Sequence, residues 1–317
     1  MVLRTLVAVL LAFAGAAVAQ TYPQRAVKVL IPFPPGGAPD LTARILATRL
    51  SERLGQPFVA ENRVGAGGNI AAEAVAKSPP DGYTLFAGSD GPLVINPNVY
   101  AHVGFDTLHD FAPISIATSS GFVLMACDKV PANSVSELIA LAKTRKLSIG
   151  SSGFGSNHHL AAEMLKSAGG VELTHVPYKG FGNAVVDAVA CNVDLLFGSI
   201  SAAIPYIKSG KLKGLAVTQS ARHPQLPETP TFAEAGYPSV AMDAYFGMLA
   251  PAGTPKPIID RLHAEIVAIL REKDTRERLI GAGLDIVGST PEEFGVRLQK
   301  DLAKYAVAAK SLGTKAE

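Results

Sequence analysis

The 317-residue chain carries 29 Lys and Arg against 27 Asp and Glu, a net charge of +2. So even a balance leaves no basic footprint for nucleic acid or an anionic membrane surface, and the length accommodates two domains of ordinary size. With 48% hydrophobic and 18% charged residues, the composition fits a sheet covered on both faces by helices.

At the N-terminus, Arg4 precedes an apolar run from Leu6 to about Ala14, and Ala17-Val18-Ala19 supplies the A-x-A pattern that signal peptidase cuts after. Residues 1–19 are therefore expected to be a cleavable signal peptide, and the mature chain keeps a charge of +1 because only Arg4 is lost. The run is shorter than the ~20 apolar residues that span a bilayer, and no later stretch is long and uncharged enough to do so.

From Val27 the pattern alternates between short β-rich runs and amphipathic helices. Val27 to Phe33 is an apolar run, Leu41 to Leu54 has helical spacing and stops at Gly55, and Pro57 to Ala60 opens a second strand. Ile70 to Ala76 reads as helix, and the turn Pro79-Pro80-Asp81-Gly82 leads into a strand over Tyr83 to Ala87. This β-α-β-α-β order implies a parallel sheet. A loop is expected around Asn96 to Asp110, then two separate apolar runs, Ile114 to Thr118 and Phe122 to Cys127.

A second series follows: helix Val135 to Lys143 capped by Ser134, strand Leu147 to Gly150, helix Asn157 to Ser167, strand Leu173 to Val176, helix Asn183 to Ala190, and strands Val193 to Phe197 and Gly214 to Thr218. Arg222 to Tyr237 reads as surface loop. Strand Tyr245 to Leu249, helices Pro255 to Leu270 and Thr275 to Gly281, strand Leu284 to Val287 and a helix from Pro291 to about Leu312, capped by Ser289 or Thr290, complete the chain. Two such series suggest two lobes joined by two strands, with residues 20–120 plus 247–317 in one and 121–246 in the other. Ligand then belongs in the cleft, outside the carboxyl ends of the strands.

The most specific local feature is Ile31-Pro32-Phe33-Pro34-Pro35-Gly36-Gly37-Ala38-Pro39-Asp40, a strand that breaks into a glycine-tipped turn and opens a helix. Free N–H donors at a helix start attract an anion, and glycines let a ligand approach the backbone. The plain alternative is a structural turn. Glycine-rich or polar strand ends recur at Asn62 to Asn69, at Gly88-Ser89-Asp90-Gly91 and at Gly150 to His158.

Other chemistries fit poorly. Ile70 stands where a dinucleotide fingerprint requires a third small residue, no glycine loop is closed by Lys-Ser or Lys-Thr, and the G-x-S-x-G frame fails at Phe154. Ser151 and Ser152 read better as ligand-contacting hydroxyls. His158 and His159, about 100° apart on a helix, cannot chelate one metal from one face, so one is expected toward the cleft and the other toward the surface, the plain alternative being helix-start capping without ligand contact. His175 and Asp194 read as structural. No metal and no cofactor is expected. Cys127 and Cys191 leave a disulfide and two separate buried thiols both open, with the thiols as the simpler default, since sequence cannot test the geometry.

Pro32-Phe33-Pro34-Pro35-Gly36-Gly37 with Asp40, Glu61-Asn62-Arg63 with Gly65-Ala66-Gly67-Gly68, Asp81-Gly82-Tyr83-Thr84-Leu85, His175-Val176-Pro177-Tyr178-Lys179-Gly180 and Leu249 to Pro255 closely resemble the substrate-binding proteins of tripartite tricarboxylate transporters, the Bug family. The likeness runs in the same order over nearly the whole mature chain. It implies an α/β Venus-flytrap fold of the type II periplasmic-binding-protein kind, a periplasmic location and delivery of a small organic carboxylate to membrane permease subunits. A monomer without enzymatic activity is expected; the alternatives are an exported receptor that signals through a membrane sensor, and an exported α/β enzyme.

Together with the turn from Phe33 to Asp40, including Gly36, Gly37 and Ala38, the resemblance implies a ligand lining of Ser89, Asp90, Ser151, Ser152, Asn157, His158, Gly198, Ser199 and Tyr245. Four of these depart from the family pattern. Gly198 and Ser199 stand where Asp and Asn are common, Tyr245 replaces a Trp, and Asp90 replaces a small hydroxyl residue. An acid at Asp90 suits a ligand that carries an amine or protonated ring nitrogen beside its carboxylate.

Overall fold

The computed structural model describes residues 22–153, 156–178 and 180–310. The expected signal peptide, Phe154 and Gly155 of the serine-glycine loop, Lys179 of the fourth motif and the expected end of the last helix near Leu312 lie outside the described residues.

The first series forms as its patterning dictates. Strand β1 (Val27–Ile31) precedes helix α1 (Ala38–Leu54), strand β2 (Phe58–Asn62), helix α2 (Asn69–Ala76) and strand β3 (Thr84–Ser89). β1 pairs in parallel with β2 on one side and β3 on the other. Four of the five β1 residues are buried, as expected of a strand covered on both faces. Gly55 ends α1 in the left-handed region at φ 71°, where its amide reaches the Ser51 carbonyl.

Beyond β3 the structure departs from the expected loop. Gly91–Ile95 winds as a π-helical turn and runs into the short helix α3 (Asn96–Val99). Pro92 and Pro97 each lie near the start of a helical turn, where a missing N–H costs nothing. Next, the two apolar runs that sequence separates are one strand, β4 (Phe111–Cys127), which continues through Gly121.

The second series supplies α4 (Val135–Ala142), β5 (Leu147–Ser151), α5 (Asn157–Gly169), β6 (Leu173–Pro177), α6 (Phe181–Val189), β7 (Leu195–Ser199), α7 (Ile200–Lys208) and β8 (Leu212–Val217). The chain returns through β9 (Asp243–Pro251) to α8 (Lys256–Arg271), α9 (Lys273–Gly281), β10 (Asp285–Ile286) and α10 (Pro291–Lys310). α4 and α10 start on reciprocal caps. Ser134 accepts from the Glu137 amide and Thr290 from that of Glu293, while each Glu side chain reaches back to an amide near its cap.

β4 runs through both halves of the molecule. Its residues from Phe111 to Gly121 pair antiparallel with β9, and those from Phe122 onward pair with β7 and β8. The strand order β2-β1-β3-β9-β4-β7-β5-β6 places one parallel set at each end, with β8 and β10 also against β4. The result is a two-lobed α/β molecule in which β4 and the return from β8 to β9 are the crossings. A large core fills the first lobe and extends into the second, where a smaller cluster packs Val123, Met125, Leu196 and Val217 beneath α6 and α7.

Cys127, at the end of β4, is disulfide-bonded to Cys191, with Cα atoms 5.4 Å apart. The default of separate thiols is thereby corrected: a sequence separation of 64 concealed a contact that β7, lying against β4, brings about.

Candidate functional site

β1 delivers the chain to the Phe33 to Asp40 turn, and a buried carboxylate fixes that turn. Asp40 Oδ2 accepts from the Gly36 amide at 3.0 Å, Arg44 Nε donates to both Asp40 oxygens at 3.0 Å, and Asn62 Nδ2 donates to Asp40 Oδ1 at 2.8 Å. Asn62 also donates to the Phe33 carbonyl at 2.9 Å, which ties the turn to β2. Burial pushes the Asp40 carboxyl up, but the bonds from Arg44, Asn62 and Gly36 prevail and hold it below the ordinary carboxylate range. Gly36 sits at φ 95°, a region closed to most side chains.

Gly37 caps α1 without a side-chain hydrogen bond, so the first amides of that helix have no intrahelical acceptor and no capping group. Gly37 and Ala38 line a cavity of about 690 Å³ between the lobes. Two more helical starts reach the same cavity from other strand ends. Asp90 and Gly91 follow β3, and Ser199 begins α7 without a side-chain cap. α5 arrives capped, since Ser156 Oγ accepts from the His159 amide at 3.3 Å. The walls are largely apolar and include Phe33, Val99, Tyr100, Phe122 and Phe246.

Asp90 is the acid among the described lining residues. It is 2% exposed, and its Oδ2 accepts from Asn157 Nδ2 at 2.9 Å, a hydrogen bond that crosses from one lobe to the other. Burial, reinforced by Asp243, pushes its carboxyl up to about 7 against the bonds from Asn157 and the Gly91 amide. His158 packs edge-on to Phe122 at 5.3 Å, and burial lowers its pKa to about 4, so the ring is neutral at pH 7. Ser89 Oγ and His158 Nδ1 are both buried with no hydrogen-bond partner among the described residues. Nor do the described residues hold a group of three His, Cys, Asp or Glu able to bind a metal ion.

Of the expected site residues, Phe33, Gly37, Ala38, Ser89, Asp90, Ser152, Asn157, His158 and Ser199 come together around the cavity. Five do not line it. Gly36 is exposed with its amide spent on Asp40, and Asp40 is buried beneath the turn as a positioning group. Ser151 is fully buried and its Oγ lies 2.7 Å from His175 Nε2. Gly198 faces Phe181, whose ring would meet any added Cβ at 2.2 Å. Tyr245 points into the first lobe, packed against Phe294 with Arg297 over its ring. His159 also departs from expectation: it is buried and stacks on His175 at 3.6 Å instead of reaching the surface.

Sequence reasoning missed Ser120, Phe122, Ala244 and Phe246 of the two crossings, and Ile95, Asn96, Val99 and Tyr100 after the Asp90 tip. The crossings read only as apolar strand, in which alternation does not say which face meets a cleft. The Pro-Asn pattern at 91–98 was a legible helix-start signal.

The family model of the tripartite tricarboxylate transporter family receptor matches residues 42–313. Protein BugT of Bordetella pertussis is 35% identical over 319 residues, covering 99% of this chain and 98% of its own. A solved R. palustris structure with adipate is 37% identical at a TM-score of 0.77, covering 92% of this chain and 98% of that one. MatC from Rhodopseudomonas palustris with bound malate is 31% identical at a TM-score of 0.75, covering 91% and 100%. With the two lobes, the interlobe cavity and the helix starts that open on it, these similarities show that the chain belongs to the Bug family of tripartite tricarboxylate transporter receptors, which are solute-binding proteins.

Proposed function

We propose that this receptor captures a small organic carboxylate in the interlobe cavity and delivers it, chemically unchanged, to the membrane subunits of a tripartite tricarboxylate transporter. One observation carries the reading. The uncapped start of α1 shares its cavity with two buried polar atoms that lack partners among the described residues, Ser89 Oγ and His158 Nδ1. A helix start contributes ~0.3–2 kcal/mol to a nearby anion, and each hydrogen bond to a charged group ~1.5–3 kcal/mol. Two relatives that hold adipate and malate support the ligand class, and family members act as receptors rather than enzymes.

The reading places the receptor in the periplasm as a monomer, after cleavage of residues 1–19. The Cys127–Cys191 bond suits that oxidising compartment. Lobe boundaries at 20–120 plus 247–317 and at 121–246 are supported by the change of partner along β4 at Phe122.

Thermal unfolding of the mature protein against a panel of carboxylates and their matching amides tests the proposal. A true ligand at ~100 times its Kd adds about 2.7 kcal/mol of stability. Stabilisation by amides with no response to any carboxylate would dismiss it.

A further inference from the structure

Resting on that reading, we infer that the ligand is a monocarboxylate with an apolar body and a hydrogen-bond donor, hydroxyl or ammonium, that meets Asp90, and that dicarboxylates of matching length are rejected. No Lys or Arg lines the cavity among the described residues. The anionic end must therefore be held by amide N–H groups and hydroxyls. The uncapped starts of α1 and α7 are the open donor sets, and the turn that leads into α1 reaches the Asp90 tip. The Phe33 ring and the Ser89 hydroxyl each stand 3.7 Å from where a Cβ on Gly91 would be.

Asp90 excludes a second anion. It forms no ion pair among the described residues, and its charged surroundings add little relief. Asp243 and Asp301 lie near it, while Arg297 is already bonded to both of those acids and Lys304 to the Ala241 carbonyl. Ionised, as it is above pH about 7, Asp90 repels a second carboxylate in this low-dielectric setting. A hydroxyl or ammonium instead completes the acceptor capacity of Asp90. Asn157 and the Gly91 amide occupy part of the roughly four lone-pair positions of a carboxylate. Between the two ends, Phe33, Val99, Phe122 and Phe246 offer apolar contact and no charge.

Calorimetric titration of the mature protein at about pH 8.5, where Asp90 is ionised, with two matched series tests this: 6-hydroxyhexanoate, 6-aminohexanoate and adipate, then 4-hydroxybenzoate and terephthalate. In at least one series a donor-bearing monocarboxylate is expected to bind about tenfold or more tightly than the dicarboxylate, the scale of one hydrogen bond to a charged group. The hydroxyl and amino members separate the two donor types. Asp90→Asn is expected to close the gap by admitting the dicarboxylate, and Asp90→Ser provides a second variant should the first fold poorly. Dicarboxylates that match or exceed the donor-bearing members overturn the inference while leaving the carboxylate reading intact. An unchanged gap in both variants also overturns it. Binding of neutral diamides but of none of the five acids removes both.

Discussion

Asp90 and Asp40 are both buried acids, yet their surroundings drive them in opposite directions. Asp40 has Arg44 and Asn62, and Asp90 has no ion-pair partner among the described residues, so burial prevails and its carboxyl rises to about 7. The sign of the stability effect follows from linkage. A folded pKa above the unfolded value of ~3.9 means that the folded state holds the proton more tightly; the contribution is complete below pH ~4 and is lost as pH rises through about 7. Asp90→Asn should therefore gain stability over the wild type as pH increases, levelling off above about 7. Each pKa unit is worth about 1.4 kcal/mol, so the gain reaches a few kcal/mol at most. Melting temperatures of both proteins from pH 4 to pH 8 check this, and a constant difference would refute it. At this scale the turn was legible, because Gly36, Gly37 and Pro39 announce a strained helix entry. The Ser151–His175 and Tyr245 contacts were not, since a hydroxyl or phenol at a strand end carries no mark of the face it will take.

Helix starts do more than supply amides, because their positions also set how closely the lobes meet. Ser201, on α7 at the edge of the cavity, packs against Gly283, which follows α9 in the other lobe at φ 74°. A Cβ at Gly283 would stand 2.1 Å from Ser201 Cβ, so the lobes must separate locally to admit it. Gly283→Ala also imposes left-handed strain of ~1–2 kcal/mol. Gly210, at φ 71° with no atom near its would-be Cβ, isolates that strain. Both alanine variants are expected to melt at lower temperature, Gly283→Ala by at least as much as Gly210→Ala, but only Gly283→Ala should also weaken carboxylate binding, as read by titration. Equal affinities in the two variants would remove the role assigned to this contact. The elements were legible where period and caps agreed, as in α1, α4 and α10. They were not where one signal hid another: Gly121 made β4 look like two strands, and Pro205 inside α7 masked its helical spacing.

For the molecule as a whole, stability and recognition are carried by separate parts. The Cys127–Cys191 bond lies inside the second lobe, and neither residue lines the cavity. Closing a loop with a sequence separation of 64 stabilises by about 4 kcal/mol in the chain-entropy account, through the unfolded chain and not through any contact with ligand. The cavity is held by different bonds: Asp90 to Asn157, Gln219 to Asp285 and the Asp40 network of the turn. Replacing both cysteines with serine is therefore expected to lower the melting temperature markedly while leaving the Kd for a bound carboxylate within about twofold, since that part of the free energy is additive for distant sites. A bound ligand should then restore stability by the same increment in variant and wild type, because mass action depends on ligand concentration relative to Kd. Calorimetric unfolding with and without ligand measures both quantities in one experiment. Should affinity fall together with stability, the second lobe would owe its binding surface to the disulfide, and the cavity could no longer be treated as a structure held by its own hydrogen bonds.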